Sequence, residues 1–141
     1  MSGWLVDTNV LSELRKGIRC SPKVKAWVEA QQPQLLFLSR ITMAEIRYGI
    51  EHTGDELFRH ELTQWVDGHL LRWFAGRLLE VDEAVIVEWR RMVEKGRKEN
   101  HTFSQPDLFI AATARVHGLG VATRNVEAFD GAGVAVLNPW G

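Results

Sequence analysis

The stretch Trp4-Leu5-Val6-Asp7-Thr8-Asn9 sets three apolar residues directly before an acid, a hydroxyl and an amide. A short apolar run that stops on such residues reads as a buried strand turning into a helix. Three later phrases repeat the pattern: Ile41-Thr42-Met43-Ala44-Glu45, Gln105-Pro106-Asp107-Leu108 and Ala122-Thr123-Arg124-Asn125. Each puts a carboxylate, or its amide, where a strand ends or a helix begins. In an open parallel α/β sheet such positions converge at the carboxyl edge of the strands. Carboxylates forced together repel unless a cation joins them, and ligands that are all oxygen suit Mg²⁺ or Mn²⁺. A divalent cation held by acids is a common engine of phosphodiester cleavage. The four phrases therefore point toward a metal-dependent nuclease.

Outward from these phrases, residues 35–38, 78–81, 120–123 and 134–137 read as further strands. The intervening segments read as helices. One follows Asp7 near Leu11, and one starts at Ser21-Pro22 and shows Val24, Trp27 and Val28 on one face. One runs from Thr42 to Gly49, and one spans 55–74 with Leu57, Phe58, Leu62, Trp65 and Leu70 at helical spacing. One is capped by Asp82 and runs toward Glu99, and one runs from Ser104 to Val116 with Gly118 as its stop. Strand alternating with helix predicts an α/β fold, a mainly parallel sheet with helices on both faces. No repeat or linker divides the chain, so residues 1–141 are expected to form a single domain.

Composition bounds the reading. Hydrophobic residues make up 45% and charged residues 25%, which is ordinary for a globular core. No apolar run reaches the length of a membrane span, and the opening residues lack the pattern of a secretory signal. Cys20 is the only cysteine, which excludes an internal disulfide and a multi-cysteine zinc site and fits a reducing cytoplasm. Seventeen basic residues oppose eighteen acidic ones, for a net charge of −1. Any grip on RNA or DNA must therefore be local.

Each acid has a structural reading beside the chemical one. Asp7 is also a helix cap. Thr42-x-x-Glu45 is a complete capping box, with Glu45 reaching back to the Thr42 amide. Asp107 suits the positive end of a helix, where Ser104 also caps. The order and spacing of five phrases weigh toward chemistry. Val6-Asp7-Thr8-Asn9-Val10-Leu11-Ser12, Thr42-Met43-Ala44-Glu45-Ile46-Arg47-Tyr48-Gly49, Asp107-Leu108-Phe109-Ile110-Ala111-Ala112, Val121-Ala122-Thr123-Arg124-Asn125 and the tail Gly133–Trp140 together resemble a PIN-domain ribonuclease. The resemblance is to a VapC-type toxin of a bacterial toxin–antitoxin pair, in the FitB-like branch. It implies a PIN-like α/β/α sandwich and a metal-dependent endoribonuclease of cellular RNA. It places Asp7, Glu45 and Asp107 around Mg²⁺ or Mn²⁺, and it implies a cognate antitoxin and a homodimer. The fourth family acid has no direct counterpart; Asn125 stands at its place and Glu127 nearby.

Other features carry two readings each. Arg124 either orients the scissile phosphate or pairs with a pocket acid. Arg90, Arg91, Lys95, Arg97 and Lys98 grip phosphates or form a solvated face. Trp65, Trp73 and Phe74 are core or interface. The five histidines lack metal-ligand spacing, and no phosphate-cradling glycine loop is present. A Mg²⁺-binding signalling receiver is disfavoured because Ser39, not Asp, follows the second strand. A haloacid-type phosphatase is disfavoured because Asn9 stands where its second Asp belongs. A non-catalytic or solitary domain of the same fold is the remaining alternative.

Overall fold

The computed structural model describes residues 3–141. Five parallel strands lie in the order β3-β2-β1-β4-β5. They are β1 (Trp4–Val6), β2 (Leu36–Ser39), β3 (Leu78–Leu79), β4 (Gly120–Ala122) and β5 (Val136–Leu137). Between β1 and β2 run α1 (Thr8–Arg15) and α2 (Pro22–Ala30). Between β2 and β3 run α3 (Arg40–Glu51), α4 (Glu56–Trp65) and α5 (Leu71–Trp73), and before β4 come α6 (Glu83–Lys98) and α7 (Gln105–His117). The chain winds outward from β1 through β2 to β3, then returns to the other side of β1 as β4. In open parallel sheets ligands bind at the carboxyl ends where the winding reverses, and the reversal here lies between β1 and β4.

Strand alternation divides the core into two layers. Leu5, Phe37 and Val121 face a cluster built on Val85, Met92, Leu108, Ile110 and Phe129. Val6, Leu36 and Leu38 face the other, built on Val10, Leu11, Val24, Val66 and Phe74. Helices thus cover both faces, as the sequence predicts. Phe74 is fully buried, so it belongs to the core; Trp65 and Trp73 pack half-buried against the same cluster. Gly3 enters β1 with a positive φ of 145°, and a Cβ there would collide with the Leu35 carbonyl.

Several boundaries differ from the sequence reading. Leu35 lies outside β2, because Pro33 opens a 3₁₀ turn closed by the Leu35 amide on the Gln32 carbonyl, 2.9 Å. The outer strands β3 and β5 are two residues each rather than four. Helix α3 starts at Arg40, because Ser39 Oγ accepts from the Ile41 amide at 3.0 Å and takes the cap. Thr42 is then inside the first turn, and no Thr42–Glu45 capping box forms. The helix also passes through Gly49 to Glu51, since Gly49 keeps an ordinary φ. The long helix expected over 55–74 is broken by a π-helical turn at Val66–Leu70 that buries Val66 and Leu70.

Candidate active site at the carboxyl edge

Asp7 leaves β1 in extended conformation and caps α1. One carboxyl oxygen, Oδ1, accepts from the Thr8 amide at 2.9 Å. The other, Oδ2, accepts from Thr123 Oγ1 at 2.8 Å and from Asn9 Nδ2 at 3.4 Å. Thr123, fully buried at the end of β4, also accepts from the Asn125 amide at 3.0 Å and from Asn9 Nδ2 at 3.1 Å. The Arg124 amide donates to Asn9 Oδ1 at 3.0 Å. Asn9 and Thr123 thereby stitch β1 to β4 across the reversal point and fix the Asp7 rotamer.

Burial pushes the Asp7 carboxyl above its ordinary range; the bonds from Thr123, Thr8 and Asn9 oppose the rise, and the negative charge of Asp107 adds to it. Glu45, in the second turn of α3, is raised by loss of hydration, then by the charges of Asp7 and Asp107. The residue as a whole is exposed; its carboxyl end faces the other acids and loses part of its water. Asp107 is half-buried in the first turn of α7. Ser104 Oγ donates to its Oδ2 at 2.5 Å. The charge of Asp107 thus reaches Asp7, and the charges of both reach Glu45, across three separate elements.

Among the described residues no group of three or more His, Cys, Asp and Glu side chains lies close enough together to form a ligand shell. The donor set nevertheless fits a hard divalent cation: every candidate ligand is oxygen, and the Thr42 hydroxyl, one turn before Glu45, is buried without a partner.

Asn125 is exposed and enters the network through its backbone amide alone. Glu127, exposed in a 3₁₀ turn at Val126–Phe129, is not among the charges that act on Asp7 or Glu45. Arg124 makes no ion pair with a pocket acid. Its guanidinium lies over the Trp140 ring, 4.9 Å from the centroid. In the basic stretch, Arg91 pairs with Glu88 at 3.3 Å and Arg97 with Glu94 at 2.6 Å. A hollow of about 240 Å³ there holds Glu88, Arg91, Lys95 and Arg115 and none of the three acids. A cleft of about 210 Å³ holds Glu45 together with Thr8, Ser12, Arg15 and Trp65.

Sequence reasoning quoted Asn9, Thr123 and Trp140 within its phrases but gave them no role at the site. The available signal was residue type: an amide and a hydroxyl, able to donate and accept, each at a strand end.

A family description of the PIN domain matches residues 4–133. The VapC ribonuclease Y4jK of Sinorhizobium fredii is 35% identical over 136 residues, covering 96% of each chain. Toxin FitB of Neisseria gonorrhoeae is 36% identical over 138 residues, covering 96% of this chain and 97% of FitB. The crystal structure of FitAcB from Neisseria gonorrhoeae superposes with a TM-score of 0.88 at 35% identity, over 96% of this chain and 97% of that one. On its strand order, its acid-lined edge and these full-length likenesses, the chain belongs to the PIN-domain family, in the branch that holds VapC ribonucleases and toxin FitB.

Proposed function

We propose that this chain is the toxin of a toxin–antitoxin pair, an endoribonuclease that depends on Mg²⁺ or Mn²⁺ and acts as one unit over residues 1–141. The observation that carries the reading is the nearness of Asp7, Glu45 and Asp107 at the reversal point of the sheet, where Asp107 acts on Asp7 and both act on Glu45. The names of the full-length relatives, a ribonuclease and a toxin, support it.

Asp7, Glu45 and Asp107 would hold the cation. When bound, it supplies charge neutralisation at the phosphate. Asp7 is the fixed member, its orientation set by Thr8, Asn9 and Thr123. Glu45 is the adaptable one; without a hydrogen bond to hold it, its carboxylate is free to reach the cation or the attacking water. Asp107 completes the negative pocket and shares a proton-donating contact with Ser104. Asn125 hydrogen-bonds a water at the pocket, and Arg124 holds the phosphate. Cleavage leaves a 5′-phosphate and a 3′-hydroxyl. The substrate is a structured cellular RNA, read by shape and exposed loop.

The partners are a cognate antitoxin and a second copy of the chain. No helix among the described residues is long and apolar enough to cross a membrane, and we place the protein in the cytoplasm. The test is RNA cleavage by antitoxin-free protein. Mg²⁺ should support it, EDTA should stop it, and Asp7→Ala should abolish it with the melting temperature preserved. Undiminished cleavage by Asp7→Ala would sink the assignment.

A further inference from the structure

Of twelve arginines, Arg40, Arg47, Arg91, Arg97 and Arg115 each sit on a carboxylate within 3.3 Å. Three others rest over aromatic rings: Arg15, Arg77 and Arg124. Arg77 commits its N–H groups to the carbonyls of Pro33, Leu36 and Trp73; the other two lie beside the acids. Arg124 follows Thr123, the partner of Asp7, and rests over Trp140 at 4.9 Å. Arg15 ends α1, the helix that Asp7 caps, lines the cleft that contains Glu45, and rests over Phe58 at 5.2 Å.

An aromatic face holds a guanidinium without cancelling its charge. The planar group stays oriented, and its N–H donors remain uncommitted. Both rings are themselves placed by the fold. Trp140 packs against the core cluster that holds Val6, and an Asx turn just past β5 fixes it, its amide bonded to Asn138 Oδ1 at 2.9 Å. Phe58 lies in the first turn of α4, its amide bonded to Asp55 Oδ1 at 3.2 Å.

Resting on the nuclease reading above, we infer that Arg15 and Arg124 form a two-point clamp on the RNA backbone, one on each side of the acids. Phe58 and Trp140 are the positioning residues that keep each guanidinium aimed, with its N–H donors uncommitted. Arg124 grips beside the bond that is cut. Arg15 stands roughly 10 Å along α1 from Thr8, so it grips further along the strand. The clamp explains how a chain of net charge −1 holds a polyanion at an acidic pocket.

The test is binding of a fluorescently labelled single-stranded RNA of mixed sequence, in EDTA, across a salt series. Arg15→Gln and Arg124→Gln should each weaken binding and flatten the slope of log affinity against log salt by about 0.7. The double variant should flatten it by about 1.4. Phe58→Leu and Trp140→Leu should keep the slope but raise KM for cleavage in Mg²⁺, with Trp140→Phe restoring it and melting curves confirming the fold. Unchanged slopes in both arginine variants would overturn the clamp. So would an Arg15→Gln variant that binds RNA normally but no longer captures the antitoxin. Altered slopes with no cleavage by wild type would keep the clamp and remove the nuclease reading.

Discussion

Asp7 and Glu45 stand at the same edge of the sheet under opposite constraint. Asp7 is buried and receives three hydrogen bonds, from Thr8, Asn9 and Thr123. Glu45 has no hydrogen-bond partner among the described residues, and its surroundings act on it through lost hydration and two negative charges. A carboxylate that is tied down defines a position; one that is merely enclosed and repelled is free to move and to exchange a proton. The site thus pairs a fixed oxygen donor with an adaptable one.

The strongest challenge to this contrast is Glu45→Gln. It removes a charge and no hydrogen bond, so cleavage should fall roughly 100-fold or more while the melting temperature holds or rises. Both acids are raised above their ordinary values of 3.8 and 4.5. The folded chain then binds these protons more tightly than the unfolded one. In EDTA, stability should therefore fall as pH rises from those values through the raised ones, and Glu45→Gln should weaken that fall. A variant with full turnover would strip Glu45 of its role.

Thr123→Val probes the other side of the comparison. It keeps shape but removes the hydroxyl that orients Asp7 and receives the Asn125 amide. Cleavage should drop about 10- to 100-fold, as for loss of an outer support of a metal ligand. Stability should fall by about 1–3 kcal/mol, because the buried Asp7 oxygen loses a donor and the half-buried Asn9 side-chain amide loses an acceptor. Unaltered turnover would mean that Asp7 holds its orientation unaided.

The smallest effect separates two caps of α3. Ser39→Ala should cost about 1 kcal/mol, read by chemical denaturation. Thr42→Val should cost nothing or stabilise, since the Thr42 hydroxyl is buried without a partner. The reverse ranking would restore the capping box.

The parallel sheet, its layers and the placing of Asp7, Glu45 and Asp107 at or near helix starts were legible because apolar periodicity and helix-start residues are local signals. The start of α3 was not. Ser39 and Thr42 are both competent caps, and only the strand that delivers Ser39 to the sheet edge decides between them. The π-helical turn at Val66–Leu70 escaped because one extra residue per turn leaves the apolar spacing nearly intact. The Asp7–Thr123 bond joins residues 116 positions apart, beyond any local pattern. The cation–ring contacts of Arg15 and Arg124 depend on side-chain direction, which spacing does not encode.

That same long-range bond sets a timetable. Synthesis runs from the amino end, so β1 and its acid leave the ribosome early, with β4 still unmade. Until residue 123 has emerged, Asp7 lacks the hydroxyl that orients it, and β1 lacks its neighbour on that side. A nascent chain therefore carries its acids unassembled through most of its translation. The acid-lined edge is complete only when β4 folds against β1, after nearly the whole chain has been made.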